Sequence, residues 1–477
     1  MRYHVSLSRR YAIGAIALAV GLVVSACSSS GSAGGGESAT QGTGDSSSNS
    51  SAGEGASSGT ADQSINVIMV NNPAQEDLVK LTPDNFTKQT GIKVNFTLLP
   101  ENDVRAKISQ EFSSQAGQYD VATLSNYEIP FYANNGWLAP LDKYIAADTA
   151  FDQADILPAM AESMKGKDGK IYGEPFEGQS SFLMYRKDVF EAKGLTVPSN
   201  PTWDQVAELA AKIDHAEPGM RGICLRGQPG WGEMFAPLTT VINTFGGTWF
   251  DKDWNAQVDS PAFQQAVEFY VKLIQEHGED GAAQSGYTEC LNDFIQGKVA
   301  MWVDATNSGG SIEASNSPIH GKIGYAQSPV KLTKSSGWLW TWAWGIQAAS
   351  KHQDAAWKFV SWASSKDYEL LVAKKLGWAK VPYGKRESTF KNPDFQAGAP
   401  FYKAALEAIE SVSPENSFTQ PRPAAGVQFV GIPEFAALAT DLSRDISAVI
   451  AGQGTVAAAL AKGQKAAEAV GAKYKNK

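Results

Sequence analysis

The hydrophobic and polar positions of this chain follow two periods that alternate along much of its length. Residues 65–70 form a short run rich in β-branched and apolar side chains, and residues 75–89 then carry leucines and a phenylalanine at roughly helical spacing. An alternating apolar and polar pattern follows at 92–96. Apolar residues three or four positions apart are typical of one helix face, and alternate apolar residues are typical of a strand. This segment therefore predicts a strand, a helix and a second strand.

The same order of elements recurs further along the chain. A helical pattern at 103–116 precedes a strand pattern at 119–124, and helical patterns at 263–274 and 290–294 precede an apolar run at 299–303. Alternation of strands and helices predicts a largely parallel sheet covered by helices. Ligands of such sheets bind beyond the carboxyl ends of the strands. We therefore expect ligand contacts where these strands end.

Polar side chains stand at three of the predicted strand ends. Asn72 follows the first strand, residues 125–128 follow the third, and Asp304 follows the last. Amides, hydroxyls, phenols and carboxylates can each hydrogen-bond an uncharged polyhydroxy compound. These positions therefore indicate a site for a ligand of that kind.

Four tryptophans occupy alternate positions at Trp338, Trp340, Trp342 and Trp344. On a strand, a period of two places all four on one face. Tryptophans on one strand face often belong simply to the core. Their flat rings also pack against the C–H faces of sugars and polyols, while the indole N–H can bond a hydroxyl. The sequence leaves both interpretations open.

The segment 222–233 contains four glycines together with Arg226, Trp231 and Glu233. We call it the glycine loop. It lacks the Gly-Lys-Ser/Thr ending of a phosphate-binding loop, so its glycines do not indicate a nucleotide site. We interpret the segment as a mobile or recognition loop.

The start of the chain differs in composition from the rest. A basic beginning, an apolar run at 11–24 and small residues before Cys27 are typical of a secretory signal peptide. The apolar run is too short to span a bilayer of roughly 30 Å. Residues 28–63 are almost entirely Ser, Gly, Ala and Thr, a composition that cannot offset the entropy of ordering. We predict a lipoprotein signal peptide at 1–26, and lipid on Cys27 followed by a disordered linker, together 27–64.

Charge and cysteine content exclude several classes of function. The net charge of -9 argues against nucleic acid, which needs basic patches. Five histidines without paired-cysteine spacing argue against structural zinc, and neither a metal nor a cofactor is indicated. Outside the cytoplasm, Cys224 and Cys290 are either disulfide-bonded or buried thiols, depending on whether their Cα atoms approach within about 7 Å. The sequence does not decide between these two states.

Several motifs in a fixed order resemble the family 1 extracellular solute-binding proteins of bacterial carbohydrate ABC importers. They span residues 66–452, and their combination is most similar to the mannitol- and sorbitol-binding subgroup. Besides the loop at 222–233, the motifs are Phe-Thr-Lys-Gln at 86–89, Tyr-Glu-Ile-Pro at 127–130, Gly-Trp-Leu-Ala-Pro-Leu-Asp at 136–142, Met-Tyr-Arg at 184–186, Met-Trp-Val-Asp-Ala-Thr at 301–306, Trp-Leu-Trp at 338–340 and Val-Gln-Phe-Val-Gly-Ile-Pro-Glu-Phe at 427–435.

The resemblance implies a two-lobed α/β fold of the type II periplasmic-binding-protein kind. Each lobe is expected to be a mainly parallel sheet flanked by helices, with a hinge between the lobes. Closure of the hinge would exclude water from the ligand and strengthen its hydrogen bonds. Length supports two lobes, because a chain of this size exceeds what one core usually accommodates. We predict that lobe one comprises 65–174 with 330–361, and lobe two 175–329 with 362–477.

The strand ends, the glycine loop and the resemblance together define a predicted ligand site. The charged side chains would hydrogen-bond hydroxyls and the tryptophans would stack on the ligand. One departure is the sequence Glu-Gly-Gln-Ser-Ser at 177–181, where a polyol-binding relative is expected to have Tyr-Gly-Glu-Ser-Ser. If this loop touches ligand, the preferred stereoisomer or chain length would differ from mannitol or sorbitol. The predicted contacts are Asn72, Tyr127, Glu128, Gln179, Arg226, Trp231, Asp304, Trp340 and Glu434.

We predict a non-enzymatic substrate-binding lipoprotein that captures a sugar alcohol and delivers it to the permease subunits of an ABC importer. It would be a monomer, exported and held on the outer face of the cell membrane by lipid alone. One alternative ligand is a mono- or oligosaccharide. An exported glycoside hydrolase is a second alternative, because such enzymes carry paired carboxylates. Against it, no eightfold barrel repeat is present, and no Gly-x-Ser-x-Gly elbow occurs outside the Ser- and Gly-rich segment that follows Cys27. A surface lipoprotein without a small ligand is the third.

Overall fold

The computed structural model describes residues 63–424 and 426–475. The predicted signal peptide, Cys27 and nearly all of the predicted linker lie outside the described residues. Within these ranges the strands form two sheets, one in each lobe. The strands are β1 (Ser64–Val70), β2 (Lys93–Leu99), β3 (Val121–Ser125), β4 (Glu174–Gln179), β5 (Ser181–Arg186), β6 (Arg221–Cys224), β7 (Val299–Ala305), β8 (Ile323–Gln327) and β9 (Trp340–Ile346).

The first sheet has the strand order β2, β1, β3, β9, β4. β1 is parallel to β2 and β3, as the alternation of strands and helices predicted. β9 is antiparallel to both β3 and β4, so the sheet is mixed rather than mainly parallel. The reason is that β9 arrives from the second sheet and β4 leaves for it. Neither strand is joined to a neighbour by the helical crossover that parallel pairing requires.

The second sheet has the order β6, β7, β5, β8. β6 and β7 are parallel, whereas β5 is antiparallel to both β7 and β8. The chain passes from the first sheet to the second at Ser180, which lies between β4 and β5, and returns between β8 and β9. The expected two-lobed α/β architecture is confirmed, with mixed sheets in both lobes.

Helices cover both sheets, and none of those in the described residues is long and apolar enough to cross a membrane. A π-helical segment, Pro83–Thr87, joins the first two. The helices are α1 (Pro73–Thr82), α2 (Lys88–Thr90), α3 (Glu101–Ser114), α4 (Glu128–Asn134), α5 (Asp142–Ala147), α6 (Pro158–Glu162), α7 (Lys187–Ala192), α8 (Trp203–Ile213), α9 (Phe235–Thr244), α10 (Pro261–His277), α11 (Tyr287–Ile295), α12 (Gly309–Ile312), α13 (Gln353–Ser364), α14 (Lys366–Leu376), α15 (Glu387–Lys391), α16 (Pro393–Gly398), α17 (Tyr402–Glu410), α18 (Pro414–Ser417), α19 (Phe435–Ile450) and α20 (Val456–Tyr474).

Helix α3 shows how the hydrophobic pattern fixes an element at the site. Val104, Ile108 and Phe112 recur every four residues and are all buried in the core of the first lobe. This spacing places the three side chains on one helical face. Packing of that face directs the first turn of α3, including Glu101, towards the space between the lobes.

Cys224 and Cys290 form a disulfide, with their Cα atoms 5.7 Å apart. Of the two states that the sequence left open, the structure therefore shows the bonded one. The bridge joins the end of β6 to α11, and both sulfurs are buried in the second lobe.

The buried carboxyl of Glu174 predicts that the stability of the fold depends on pH. Burial raises its pKa to about 8, because desolvation outweighs the attraction of the Arg386 charge. Because the folded-state pKa lies above the ordinary value, the fold is stabilised by the neutral form of this carboxyl. That contribution to stability is complete below about pH 4.5 and is lost as pH rises through about 8. At pH 9 we expect Glu174→Gln to have a free energy of unfolding greater than that of the wild type by roughly a few kcal/mol, and therefore a higher melting temperature. At pH 4 we expect no such difference.

Thermal unfolding of both proteins between pH 4 and pH 9 measures this difference. The matched control is Glu410→Gln, since Glu410 is exposed on α17, and its melting temperature should follow the wild type at every pH. A Glu174→Gln variant whose offset from the wild type is the same across the range would contradict the assignment.

Candidate functional site

A cavity of about 220 Å³ lies between the two sheets. We call it the first cavity. Several of its polar lining residues directly follow strands, which is where the sequence analysis expected ligand contacts; they include Asn72, Glu101, Arg226 and Asn307. From the first lobe it is lined chiefly by Asn72, Glu101, Gln179, Trp340 and Trp342, and from the second by Arg226, Gln228, Glu233, Tyr287 and Asn307.

Asn72 reaches the first cavity because β1 ends at Val70 and α1 begins at Pro73. The Asn72 Oδ1 atom accepts a hydrogen bond of 2.9 Å from the backbone N–H of Gln75, and so caps the helix. The cap uses only the side-chain oxygen. The amide nitrogen of the same side chain is therefore available as a donor at the cavity wall.

Gln179 and Trp340 lie side by side at the edge of the first sheet. Gln179 is the last residue of β4, and its partner across the antiparallel ladder is Trp340, the first residue of β9. Both line the first cavity. A buried amide and an indole ring therefore meet at the point where the chain leaves this lobe.

The tryptophan cluster divides between core and cavity. Trp344 is fully buried and packs against Phe176 and Phe359 in the first lobe. Trp340 and Trp342 line the first cavity, as does Trp338, which precedes β9. The Nε1 atom of Trp338 is buried and has no hydrogen-bond partner among the described residues. The core interpretation therefore holds for Trp344, whereas the other three tryptophans lie at the cavity wall.

Arg226 and Asp304 form a bidentate ion pair at the floor of the second lobe. The Nε and Nη2 atoms of Arg226 donate to the two carboxylate oxygens of Asp304 at 2.8 and 2.6 Å. Trp302 Nε1 donates to the same carboxylate at 3.2 Å. Because Asp304 is 0% exposed and does not line the cavity, its direct effect is to orient Arg226.

The remaining nitrogen of Arg226 faces the glycine loop. Its Nη1 atom donates to the carbonyl oxygen of Gly232 at 3.0 Å and lies 3.4 Å from Glu233 Oε2. Burial acts to lower the pKa of Arg226, but the charges of Asp304 and Glu233 raise it above its usual range. The guanidinium therefore stays charged in a largely desolvated site.

Two carboxyl groups, Glu101 and Glu233, line the first cavity from opposite lobes. Burial and the charge of Glu101 raise the pKa of Glu233 to about 7, although Arg226 opposes the shift. The Oε2 atom of Glu233 also accepts a hydrogen bond of 3.1 Å from the backbone N–H of Tyr287. Near neutral pH, Glu233 can therefore either donate or accept a hydrogen bond in the cavity.

A larger cavity of about 700 Å³ contains three other predicted contacts, Tyr127, Glu128 and Trp231. We call it the second cavity. The Tyr127 hydroxyl donates to the carbonyl oxygen of Ile432 at 2.6 Å. The Glu128 carboxylate accepts from Arg105 at 3.0 Å. These groups are engaged with protein partners and do not line the first cavity.

Glu434, the last predicted contact, lines neither cavity. Its carboxylate accepts from Tyr474 at 2.7 Å and lies 3.4 Å from Lys473 on α20. Of the nine predicted residues, the structure therefore brings Asn72, Gln179, Arg226 and Trp340 together at the first cavity and places Asp304 directly behind Arg226.

Several lining residues were not among the predicted contacts. Glu101 lies just beyond the end of β2 and opens α3, and Asn307 lies just beyond β7. The strand-end rule could therefore have identified both. Tyr287 sits on helix α11, and no local pattern distinguishes it from other helical positions.

Contacts between the lobes show that the cleft is closed in this structure. Asn102 Nδ2 of α3 donates to the carbonyl oxygen of Pro229 in the glycine loop at 3.1 Å. Asn307 Nδ2, beyond β7, donates to Glu177 Oε1 of β4 at 3.2 Å. Each bond joins one lobe to the other, so the first cavity is bounded on both sides.

Comparison of the sequence with known proteins gives consistent matches. Residues 71–369 match the family described as bacterial extracellular solute-binding protein. The mannitol-binding protein of Pseudomonas aeruginosa is 36% identical over 405 residues, which cover 84% of this chain and 92% of that protein. The erythritol/L-threitol-binding protein of Mycolicibacterium smegmatis is 28% identical over 403 residues, covering 76% and 79%.

Solved structures with the same fold include two polyol complexes. An ABC transporter solute-binding protein of Agrobacterium vitis with bound D-mannitol matches with a TM-score of 0.83 and 42% identity, covering 86% of this chain and 99% of that one. A solute-binding protein of Agrobacterium radiobacter in complex with ribitol matches with a TM-score of 0.75 and 25% identity, covering 86% and 98%.

Proposed function

Because this chain belongs to the bacterial extracellular solute-binding proteins, we propose that it captures a sugar alcohol between its lobes and delivers it to the permease subunits of an ABC importer. The observation that carries the proposal is the composition of the first cavity. Charged hydrogen-bonding groups from Arg226, Glu101 and Glu233 stand there beside the ring of Trp340. A polyol presents hydroxyls and C–H groups along one chain, so it requires both kinds of partner.

The size of the first cavity favours a small ligand. At about 220 Å³ it is smaller than the roughly 300 to 1,000 Å³ of pockets that hold drug-sized molecules. A single polyol chain suits this volume better than an oligosaccharide does. The relatives with bound or named mannitol, ribitol, erythritol and threitol support the same ligand class for this chain.

We propose that Asn72, Gln179, Arg226 and Trp340 contact the ligand directly. Arg226 would donate charge-assisted hydrogen bonds to hydroxyls, and Trp340 would pack against the carbon chain. Asp304 would act as a positioning residue through its bidentate pair with Arg226.

The other predicted contacts have different surroundings. Tyr127, Glu128 and Trp231 line the second cavity, and we assign them to its boundary rather than to the ligand. Glu434, which is paired with Lys473 and Tyr474, would support α20 instead.

The family, described as extracellular, supports an exported protein. We further propose that residues 1–26 are removed, that Cys27 carries lipid, and that residues 27–64 serve as a flexible linker of about 30 to 40 Å in end-to-end distance. The protein would act as a monomer near its importer, on the outer face of the cell membrane. We also propose lobe one as 65–179 with 330–361, and lobe two as 180–329 with 362–477. The boundary lies five residues later than the one expected from the sequence, because β4 is hydrogen-bonded into the first sheet.

Thermal unfolding with a panel of hexitols, pentitols, tetritols, monosaccharides and disaccharides tests this function. At 100 to 1,000 times its dissociation constant, the preferred polyol should stabilise the protein by about 3 to 4 kcal/mol. A larger stabilisation by a sugar would favour the saccharide alternative. Absence of any effect from the polyols would contradict the proposal, and turnover of an oligosaccharide would favour a hydrolase.

A further inference from the structure

The first and second cavities are separated by two stacked layers of side chains, one facing each cavity. Trp340 and Trp342 line the first cavity, whereas Arg105 and Trp231 line the second. The guanidinium carbon of Arg105 lies 5.0 and 4.9 Å from the ring centroids of Trp340 and Trp342, and 4.1 Å from that of Trp231. At these distances a guanidinium over an indole ring is attracted by a cation–π interaction. We call Arg105 and Trp231 the partition.

Ion pairs and ring contacts hold the partition in place. Arg105 Nη2 donates to Glu101 at 2.7 Å, and Nη1 donates to Glu128 at 3.0 Å. The Arg105 side chain is only 6% exposed. The ring of Trp231 lies 5.0 Å from that of Tyr127. Both members are therefore fixed by several partners, which is what a wall that excludes ligand atoms requires.

The partition is assembled only when the lobes close. Arg105 belongs to α3 of the first lobe, and Trp231 belongs to the glycine loop of the second. The loop approaches α3 so closely that a Cβ atom at Gly232 would lie 2.5 Å from Glu101 Oε1. Gly230 has a φ of 148°, a conformation that L side chains rarely adopt. These two glycines allow Trp231 to reach Arg105.

We propose that Arg105 and Trp231 determine the length of ligand that the protein accepts. This inference rests on the proposed polyol-binding function. A single polyol chain fits the first cavity and ends at Trp340 and Trp342, which the partition holds in place from the other side. A glycosylated polyol would need to extend beyond it into the second cavity, whose volume of about 700 Å³ has room for another sugar ring. The partition therefore excludes glycosylated polyols while the closed cleft still admits free ones.

Calorimetric titration with D-mannitol and with maltitol, a hexitol carrying one glucosyl unit, tests this role. The wild type is expected to bind maltitol about 100-fold more weakly than D-mannitol, or weaker still. Truncating either partition side chain removes packing from behind Trp340 and Trp342, so that these rings can move aside and open the first cavity into the second. In Arg105→Ala and in Trp231→Ala we expect the ratio of the two dissociation constants to fall by about tenfold or more.

The matched control is Phe131→Ala. Phe131 lines the second cavity and contacts Tyr132 and Trp137 rather than the partition. Its truncation enlarges the second cavity but leaves the partition intact, so the ratio should stay as in the wild type. Circular dichroism establishes that each variant is folded.

Three results would overturn the inference. One is an unchanged ratio in folded Arg105→Ala and Trp231→Ala variants that still bind D-mannitol, which would leave the polyol-binding function standing. A second is wild-type protein that binds maltitol as tightly as D-mannitol, a result that needs no variant. A third is wild-type protein that binds neither these compounds nor any other hexitol, which would remove the proposed function and this inference with it.

Discussion

Arg226→Ala is expected to weaken polyol binding by about 100-fold, because each hydrogen bond lost between a charged group and a ligand hydroxyl costs roughly 1.5 to 3 kcal/mol. The substitution removes the donors that Arg226 presents to the first cavity. It also leaves the Asp304 carboxylate, which is 0% exposed, without its bidentate partner. Titration calorimetry at pH 7 measures the loss of affinity, and circular dichroism shows whether the second lobe remains folded.

Two further variants separate the contact from its surroundings. Arg226→Lys keeps a positive charge but cannot form the bidentate ion pair with Asp304. We therefore expect its affinity for polyol to lie between those of the wild type and Arg226→Ala. Arg221→Ala is the matched control, because Arg221 begins the same strand, β6, and pairs with Asp214 away from the first cavity. A folded Arg226→Ala variant that binds polyol as tightly as Arg221→Ala does would contradict the role of Arg226.

Removal of the disulfide by the double substitution Cys224→Ala and Cys290→Ala is expected to lower the free energy of unfolding by about 2 to 5 kcal/mol. The bridge closes a loop between residues 66 positions apart in sequence, and so restricts the unfolded chain. It also fixes the end of β6, two residues before Arg226. Equilibrium unfolding in urea, with and without the preferred polyol, measures the change.

Reductant provides the matched control for the disulfide. Dithiothreitol should lower the unfolding midpoint of the wild type but leave that of the double variant unchanged. Equal midpoints for the reduced and untreated wild type, together with a double variant as stable as both, would show that the bridge does not contribute to stability.

The sequence predicted the parts of the site that depend on local pattern. Strand-end positions led to Asn72 and to Asp304, and the glycine loop led to Arg226. Alternation of strands and helices predicted the parallel pairing of β1 with β2 and β3. These features follow from short segments, because secondary structure and strand ends are visible as periodicity.

Features that depend on distant segments could not be predicted in the same way. Asp304 lies 78 residues from Arg226 in sequence, and nothing local shows that its carboxylate points to that side chain rather than to a ligand. Arg105 is one of several polar residues on α3, and it is buried by segments distant in sequence, namely β9 of its own lobe and the glycine loop of the other. The antiparallel direction of β9 follows from its arrival from the second sheet. Its sequence alone does not encode that direction.

Equally, the tryptophan cluster shows the limit of reasoning from one strand. The period of two predicted one strand for all four tryptophans, but β9 contains only Trp340, Trp342 and Trp344, and Trp338 precedes it. Trp344 is packed in the core of the first lobe, whereas Trp340 and Trp342 lie where the second lobe closes over the sheet. Which residue belongs to which environment depends on where that lobe ends.

A crystal structure of the protein grown with D-mannitol or its preferred polyol would test the central claim most directly. We predict ligand density in the first cavity, with hydroxyls within hydrogen-bond distance of Arg226 and the carbon chain against the ring of Trp340. We also predict that the ligand ends before Trp231 and Arg105. Ligand bound in the second cavity or elsewhere, or a closed first cavity without ligand at saturating polyol, would contradict the account.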